Sequence, residues 1–259
     1  MRLLSALGAA ALLLAALPAS AADVSAKAGY LLSLGGINIA TADVTFTDSA
    51  GHYDLNLDAQ VTGLANLVST GTAQVEASGS SAGSLLQSEK FDVLTRAGGE
   101  DFRVDVKYAQ GKVADFTVTP PLTDNVNRVP IERSQLTDVG DMLSAFVLKS
   151  QTLDSSLCDH DFHIFTGVER FDLKMTYLRP DRATSLRTAY QGPVVQCRLQ
   201  YLPISGHFTT SPTTNYLAHS GDLYIWYAPM GSTGYYLPYR VLIATSVGDL
   251  SMVLTKLSD

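Results

Sequence analysis

Residues 52–61 read HYDLNLDAQV, with Tyr53, Leu55, Leu57, Ala59 and Val61 alternating with His52, Asp54, Asn56, Asp58 and Gln60. In an extended chain successive side chains point to opposite faces, so this segment makes one dry face and one wet face only as a β-strand. The same split recurs at 101–108, where Phe102, Val104, Val106 and Tyr108 oppose Asp101, Arg103, Asp105 and Lys107. It returns at 170–177, with Phe171, Leu173, Met175 and Tyr177 as the apolar set. Strands of this kind belong to antiparallel sheet.

Turn chemistry agrees. Gly35-Gly36 separates YLLSL from INIATADVTF, and Gln110-Gly111-Lys112 separates RVDVKYA from VADFTVTP, both as hairpin loops. Counting such segments predicts ten to fourteen strands. One stretch breaks the pattern: TDVGDMLSAFVLKSQ (137–151) predicts a short helix, capped by Thr137 or Asp141, that buries Leu143, Phe146 and Val147. The expected fold is therefore all-β, a large curved antiparallel sheet with one short helix. Strand twist disfavours a flat sheet of this size, so it should curl round the helix as a half-barrel or β-spiral.

The first 21 residues place Arg2 before an apolar run that ends at Pro18 and Ala19-Ser20-Ala21. This is the layout of a secretory signal peptide, and the run is shorter than a membrane-spanning helix needs. The expected division is a signal peptide at 1–21 and a single β-rich envelope domain at 22–259, with the periplasm as destination. Removing the leader leaves 17 Lys plus Arg against 25 Asp plus Glu, a net charge near −8. That balance disfavours nucleic acid and anionic membrane as partners. A transmembrane β-barrel would alternate similarly, but the chain ends LTKLSD without a terminal aromatic residue, and the protein is not expected to span a membrane.

Cys158 and Cys197 are the only cysteines. In an oxidising compartment an isolated pair reads most simply as a structural disulfide. Closing about 40 residues would contribute about 4 kcal/mol on the chain-entropy account. Metal ligation and a redox thiol are the alternatives raised by CDHDFH (158–163). Were those residues all extended, Cys158 and His160 would face away from Asp159, Asp161 and His163, so no single ion gathers them. No Cys-x-x-Cys spacing occurs to lower a thiol pKa. His52, His207 and His219 are scattered singly.

GSSAG (79–83) fits Gly-x-Ser-x-Gly with Ser81 as nucleophile, but that chemistry needs a strand, a strained turn and then a helix. Here the motif lies between strand-like segments, so no catalytic residue is assigned. Phosphate-cradling loops and dinucleotide fingerprints are absent, and neither a cofactor nor a metal is implied. Two aromatic-rich stretches remain, YLPISGHF and LYIWYAPMGSTGYYLPYR. Tyr201, Tyr224, Trp226, Tyr227, Tyr235, Tyr236 and Tyr239 read either as core packing or as the lining of a ligand groove, since tyrosine and tryptophan offer flat apolar area with a polar handle.

VGDMLSAFVL, CDHDFHIFTGVERFDL, YQGPVVQCRLQYLPISGH, LYIWYAPM and LPYRVLIATSVGDL occur in an order and spacing that resemble an exported bacterial family called domain of unknown function 3108. The resemblance covers most of the chain after the leader and is strongest from Asp138 to Leu257. It implies an envelope protein with an extended β-sheet and a Cys158–Cys197 bridge, and it implies no activity. Where the family often reads Phe-Asp-Gly followed by basic residues, this chain reads Phe165-Thr166-Gly167-Val168-Glu169-Arg170, so only Arg170 keeps the charge. In layout the family resembles other periplasmic β-spiral proteins linked to envelope integrity, an analogy of fold.

These observations lead to an expected non-enzymatic periplasmic protein that supports envelope integrity by binding a protein, peptide or lipid on its curved sheet. A lipid or lipoprotein carrier is the second reading and an envelope hydrolase the third. Whether the dry face closes on Leu143–Val147 or leaves a cavity separates the first two.

Overall fold

The computed structural model describes residues 23–259 apart from 64, 66–69, 124, 220–222 and 246, so the expected signal peptide lies outside the described residues. Fourteen strands form one antiparallel sheet. β1 (Val24–Leu34), β2 (Ile37–Ser49), β3 (His52–Val61), β4 (Gly71–Ser80), β5 (Gln87–Ala97), β6 (Glu100–Ala109) and β7 (Lys112–Thr119) run as a meander. After the short β8 (Leu148–Lys149) come β9 (His160–Phe165), β10 (Arg170–Ala183), β11 (Gly192–Ser205), β12 (Leu223–Pro229), β13 (Tyr235–Ile243) and β14 (Leu250–Ser258), a second meander. β1 pairs with β14 from Lys27↔Ser258 to Leu34↔Leu250, so the first and last strands join the two halves. The turns at Gly35-Gly36, Ala50-Gly51, Gly98-Gly99 and Gln110-Gly111 each hold two residues at positive φ, the primed hairpin geometry that matches strand twist.

The alternation expected for β3 and β6 is present: Tyr53, Leu55, Val104, Val106 and Tyr108 are buried, while His52, Asp54, Asn56, Arg103 and Lys107 are exposed. β10 follows it through Met175 and then departs. Tyr177 is 43% exposed, because β9 begins only opposite Met175 and β10 shifts register between Tyr177 and Arg179. Outward positions across the first meander carry Asp43, Asp58, Glu76 and Lys107 in solvent. A sheet dry inside and charged outside is the inverse of a membrane barrel. Among the described residues no helix is long and apolar enough to cross a membrane.

The edge strands β7 and β9 are not paired with each other, and the sheet is not closed by a ladder. Residues 136–140 lie between them instead. On one side Val113 N–H donates to Leu136 C=O (3.1 Å) and Val139 N–H to Gly111 C=O (3.0 Å). On the other, Gly140 N–H donates to His163 C=O (2.9 Å) and Phe165 N–H to Gly140 C=O (3.0 Å). The Tyr108 hydroxyl reinforces the seam through Phe165 C=O (2.8 Å), and Phe116 meets Phe165 edge-on at 5.1 Å.

The helix expected over 137–151 is corrected to one 3-10 turn, Ser144–Phe146. Gly140 is committed to extended pairing with Ile164 and Leu148 to pairing with Tyr236, so fewer than eight residues remain to coil. The α-helix of the described residues is α1 (Pro212–His219), started by Ser211, whose hydroxyl accepts from Thr214 N–H (3.2 Å), and by Pro212 in its first turn. The sheet therefore curls round an irregular strap, residues 136–149, rather than round a helix.

Gly167, in the β9–β10 turn, sits at φ +83°, and a Cβ there would meet Val104 Cγ1 of β6 at 2.2 Å. Gly167→Ala should cost about 3 kcal/mol through left-handed strain and overpacking at the seam. A urea midpoint within error of wild type would show that the two halves do not meet there.

Candidate functional site

The inward face is most deeply buried at one end. Phe46, Tyr53, Leu55, Ala77, Phe91 and Tyr235 are each 2% exposed or less. They cluster at the end where the strap crosses, with Val147 and Leu148 buried on it. Farther along the same strands, inward Leu32, Val44, Leu57, Val75, Val93 and Met252 are only half-buried. They face a hollow of about 670 Å³ that reaches from Met142, Leu143, Phe146 and Val147 of the strap to Leu32, Thr95, Ile243 and Leu250 at the opposite strand ends. None of its described lining residues is charged. Alanines at 26, 28, 42 and 73 occupy inward positions where larger side chains would have filled the space.

Two buried carboxylates pin the closed end. Asp141, with no exposed surface, accepts from Leu143 N–H (2.8 Å) and Ser144 N–H (2.7 Å) through one oxygen. Its other oxygen accepts from the hydroxyls of Ser144 (2.5 Å) and Ser88. Burial raises its pKa against the pull of those donors. Asp48 accepts from Ser81 Oγ (2.6 Å) and from the Tyr235 hydroxyl, while the Lys149 ammonium donates to Ser81 C=O (3.4 Å) and lies 5.1 Å over the Tyr235 ring. Both clusters tie the strap to β2, the β4–β5 connection, β5 and β13.

Ser81, the formal nucleophile, is 1% exposed and spends its proton on Asp48. It follows β4, and β5 comes next rather than a helix, so the strained elbow of a hydrolase is not formed.

Of the seven aromatic residues, Tyr201 lines the hollow. The others are distributed elsewhere. Trp226 donates its indole N–H to Asp181 (2.9 Å) beneath the Arg240 guanidinium, with Tyr224 beside it. Tyr227 is fully buried, Tyr235 serves Asp48, and Tyr236 pairs with Leu148. Tyr239 packs on Tyr190 and meets Thr188 Oγ1 at 3.1 Å. The lining is mostly aliphatic, and its signal in the sequence was the run of small inward residues, not the tyrosines.

Cys158 and Cys197 are bonded, with Cα atoms 5.5 Å apart. Cys197 lies in β11, and Cys158 ends a 3-10 turn, Ser155–Cys158, so residues 158–163 are not all extended. The turn is started by Asp154, which accepts from Ser156 N–H. His163 Nδ1 is 2.7 Å from Asp172, which also takes the Arg170 guanidinium (2.5 Å), and burial lowers the pKa of His160. Among the described residues no group of His, Cys, Asp and Glu converges as a metal site. His52 is exposed at the start of β3, His219 Nδ1 contacts Asn215 C=O, and His207 lies beyond β11.

The family model described as "Protein of unknown function (DUF3108)" matches residues 29–255, and the chain belongs to that family. No curated protein matches the chain. A crystal structure of a beta-barrel-like protein of domain of unknown function DUF1849 from Brucella abortus is similar in fold, with TM-score 0.50 and 13% identity over 91% of this chain and 97% of that one.

Asp141→Ala should destabilise the protein by about 3 kcal/mol, since it strands buried donors. The carboxyl binds its proton more tightly folded than unfolded, so its contribution is full below the unfolded aspartate range and declines as pH rises through the folded value. The stability gap between wild type and Asp141→Ala should accordingly narrow as pH rises from below the ordinary aspartate range toward neutrality. A gap that widens over that range would contradict the direction assigned to Asp141.

Proposed function

We propose that this member of the DUF3108 family is a non-enzymatic, exported envelope protein that carries the acyl part of a lipid or lipid-modified protein in the hollow of its sheet. The observation behind this reading is the hollow itself: apolar, uncharged among its described lining residues, and lined over much of its length by half-buried side chains. An apolar concavity with few polar groups suits an alkyl chain better than a peptide, whose backbone would enter without partners for its N–H and C=O groups. Export to the periplasm rests on the leader, and the Cys158–Cys197 bridge accords with an oxidising compartment. The hydrolase reading draws no support from Ser81, Asp48 or Asp141, whose side chains are engaged in buried structural contacts.

Each methylene moved from water into such a hollow contributes about 0.8 kcal/mol, roughly fourfold in affinity. Across saturated fatty acids of increasing length, Kd should fall by about that factor per carbon until the chain emerges from the hollow. Ala28→Trp and Ala73→Trp, which fill it, should weaken binding of the longest chains most. Native mass spectrometry of oxidised protein from periplasm should show a lipid-sized adduct. Absence of any adduct together with no length dependence would dismiss the carrier reading in favour of a protein partner.

A further inference from the structure

The register places several connections at the open end. Leu34 pairs with Leu250 and Ile243 with Leu223, so the β1–β2 turn and the β13–β14 connection lie there, with Gly35 N–H donating to Asp249 C=O (3.0 Å). α1 joins β11 to β12 at the same end, where its Leu217 lines the hollow. Residues 125–129 are laced to 206–209 through Val129 N–H to His207 C=O (3.0 Å) and Thr209 N–H to Asn127 C=O (2.8 Å).

Exposed large apolar side chains gather on these connections. Val126 is 100% exposed and Val247 77%, and Ile37, Leu122, Phe208 and Tyr216 are exposed as well. Among the described residues the connections at the closed end carry two comparable side chains, Leu186 and, on the strap, Met142 (46% exposed). Apolar side chains at loop tips are held in water at a cost, and a concentration of them round an apolar opening is the pattern of a surface that meets lipid or protein.

We propose that this rim is a docking surface for a lipid bilayer, seated so that the mouth of the hollow faces the acyl region. The inference rests on the carrier reading only in placing the ligand inside that mouth. Continuity favours a bilayer over a protein: the exposed rim side chains named above and the lining are both apolar, and the charged groups of the same end, Asp249 and the Arg96–Asp101 pair, are exposed and can stay at headgroup level. The chain's net negative charge selects the lipid, since the surface repels an anionic headgroup and leaves zwitterionic lipid as the match. Contact would be peripheral, by side chains of loops and one short helix.

The test is co-flotation of the full, oxidised protein with phosphatidylcholine vesicles, alongside binding of a fluorescent fatty acid in vesicle-free buffer. Wild type should float with the vesicles, and less so when phosphatidylglycerol is added. The double variant Val126→Asp/Val247→Asp should lose at least about tenfold in vesicle partitioning while binding the fatty acid like wild type. Leu186→Asp, at the far end, should match wild type in both assays. Wild type that stays unbound, a double variant that floats normally, or an equal loss in Leu186→Asp would each overturn the rim as a bilayer contact. Rim-dependent flotation without fatty-acid binding would keep this inference and remove the carrier reading.

Discussion

A curled sheet with a dry inner face has two edge strands whose free N–H and C=O groups must find partners, and in this protein residues 136–140 supply them to both. A conventional closure would pair β7 directly with β9 and leave no edge. Here Val113 N–H to Leu136 C=O and Val139 N–H to Gly111 C=O meet the start of one edge, and Gly140 bonds to His163 and Phe165 on the other. The curl depends on that intermediary. In strand pairing the halves are otherwise joined at β1–β14, with Tyr108, Phe116 and Gly167 adding side-chain and close backbone contact across the seam.

The strap then does a second job, because a chain that has sealed the seam must still return to the sheet at β8. Its path from Gly140 to Leu148 crosses the interior and brings Met142, Leu143, Phe146 and Val147 against the hollow. Polar backbone in such a place needs partners, and Asp141 provides two acceptor contacts at Leu143 and Ser144. Burying a carboxylate is costly unless its oxygens are met by donors, and Ser88 and Ser144 meet them. The 3-10 turn at Ser144–Phe146 is the helix that the spacing of Leu143, Phe146 and Val147 suggested, cut short by pairing at both ends.

Alternation was legible because it is local: β3 and β6 bury the residues that period two selects. The hairpins were legible because two-residue turns demand positive φ, as Gly35-Gly36 shows. Tyr177 departed from the pattern because its environment depends on where a different strand, β9, begins. α1 left a readable mark, Ser211-Pro212, which the stronger apolar spacing near Leu143 outweighed. The tyrosines invited a groove, yet aromatic residues with one polar end are equally suited to core positions with a buried acceptor, and Asp48 and Asp181 are those acceptors for Tyr235 and Trp226. The hollow itself was recorded in small inward residues, Ala28, Ala42 and Ala73, and only the curvature of the sheet tells whether facing side chains reach across that gap.

Directional, hydrogen-bonded packing and loose apolar packing are thereby divided between the two ends of one sheet. Buried carboxylates tolerate little movement, since each donor lost leaves a charge or dipole unpaired in a low-dielectric surround. Asp141 and Asp48 both lie where burial is deepest, beside Tyr53, Phe91 and Tyr235. At the far end the inward side chains are aliphatic and make only non-directional contacts, so exchanging water for an alkyl chain disturbs no hydrogen bond among them. The strap is held by Asp141's donors and the β8 pairing, whereas the inward side chains near Leu32 and Leu250 make only apolar contacts with the hollow. On the carrier reading, the physics of the closed end favours entry at the open one.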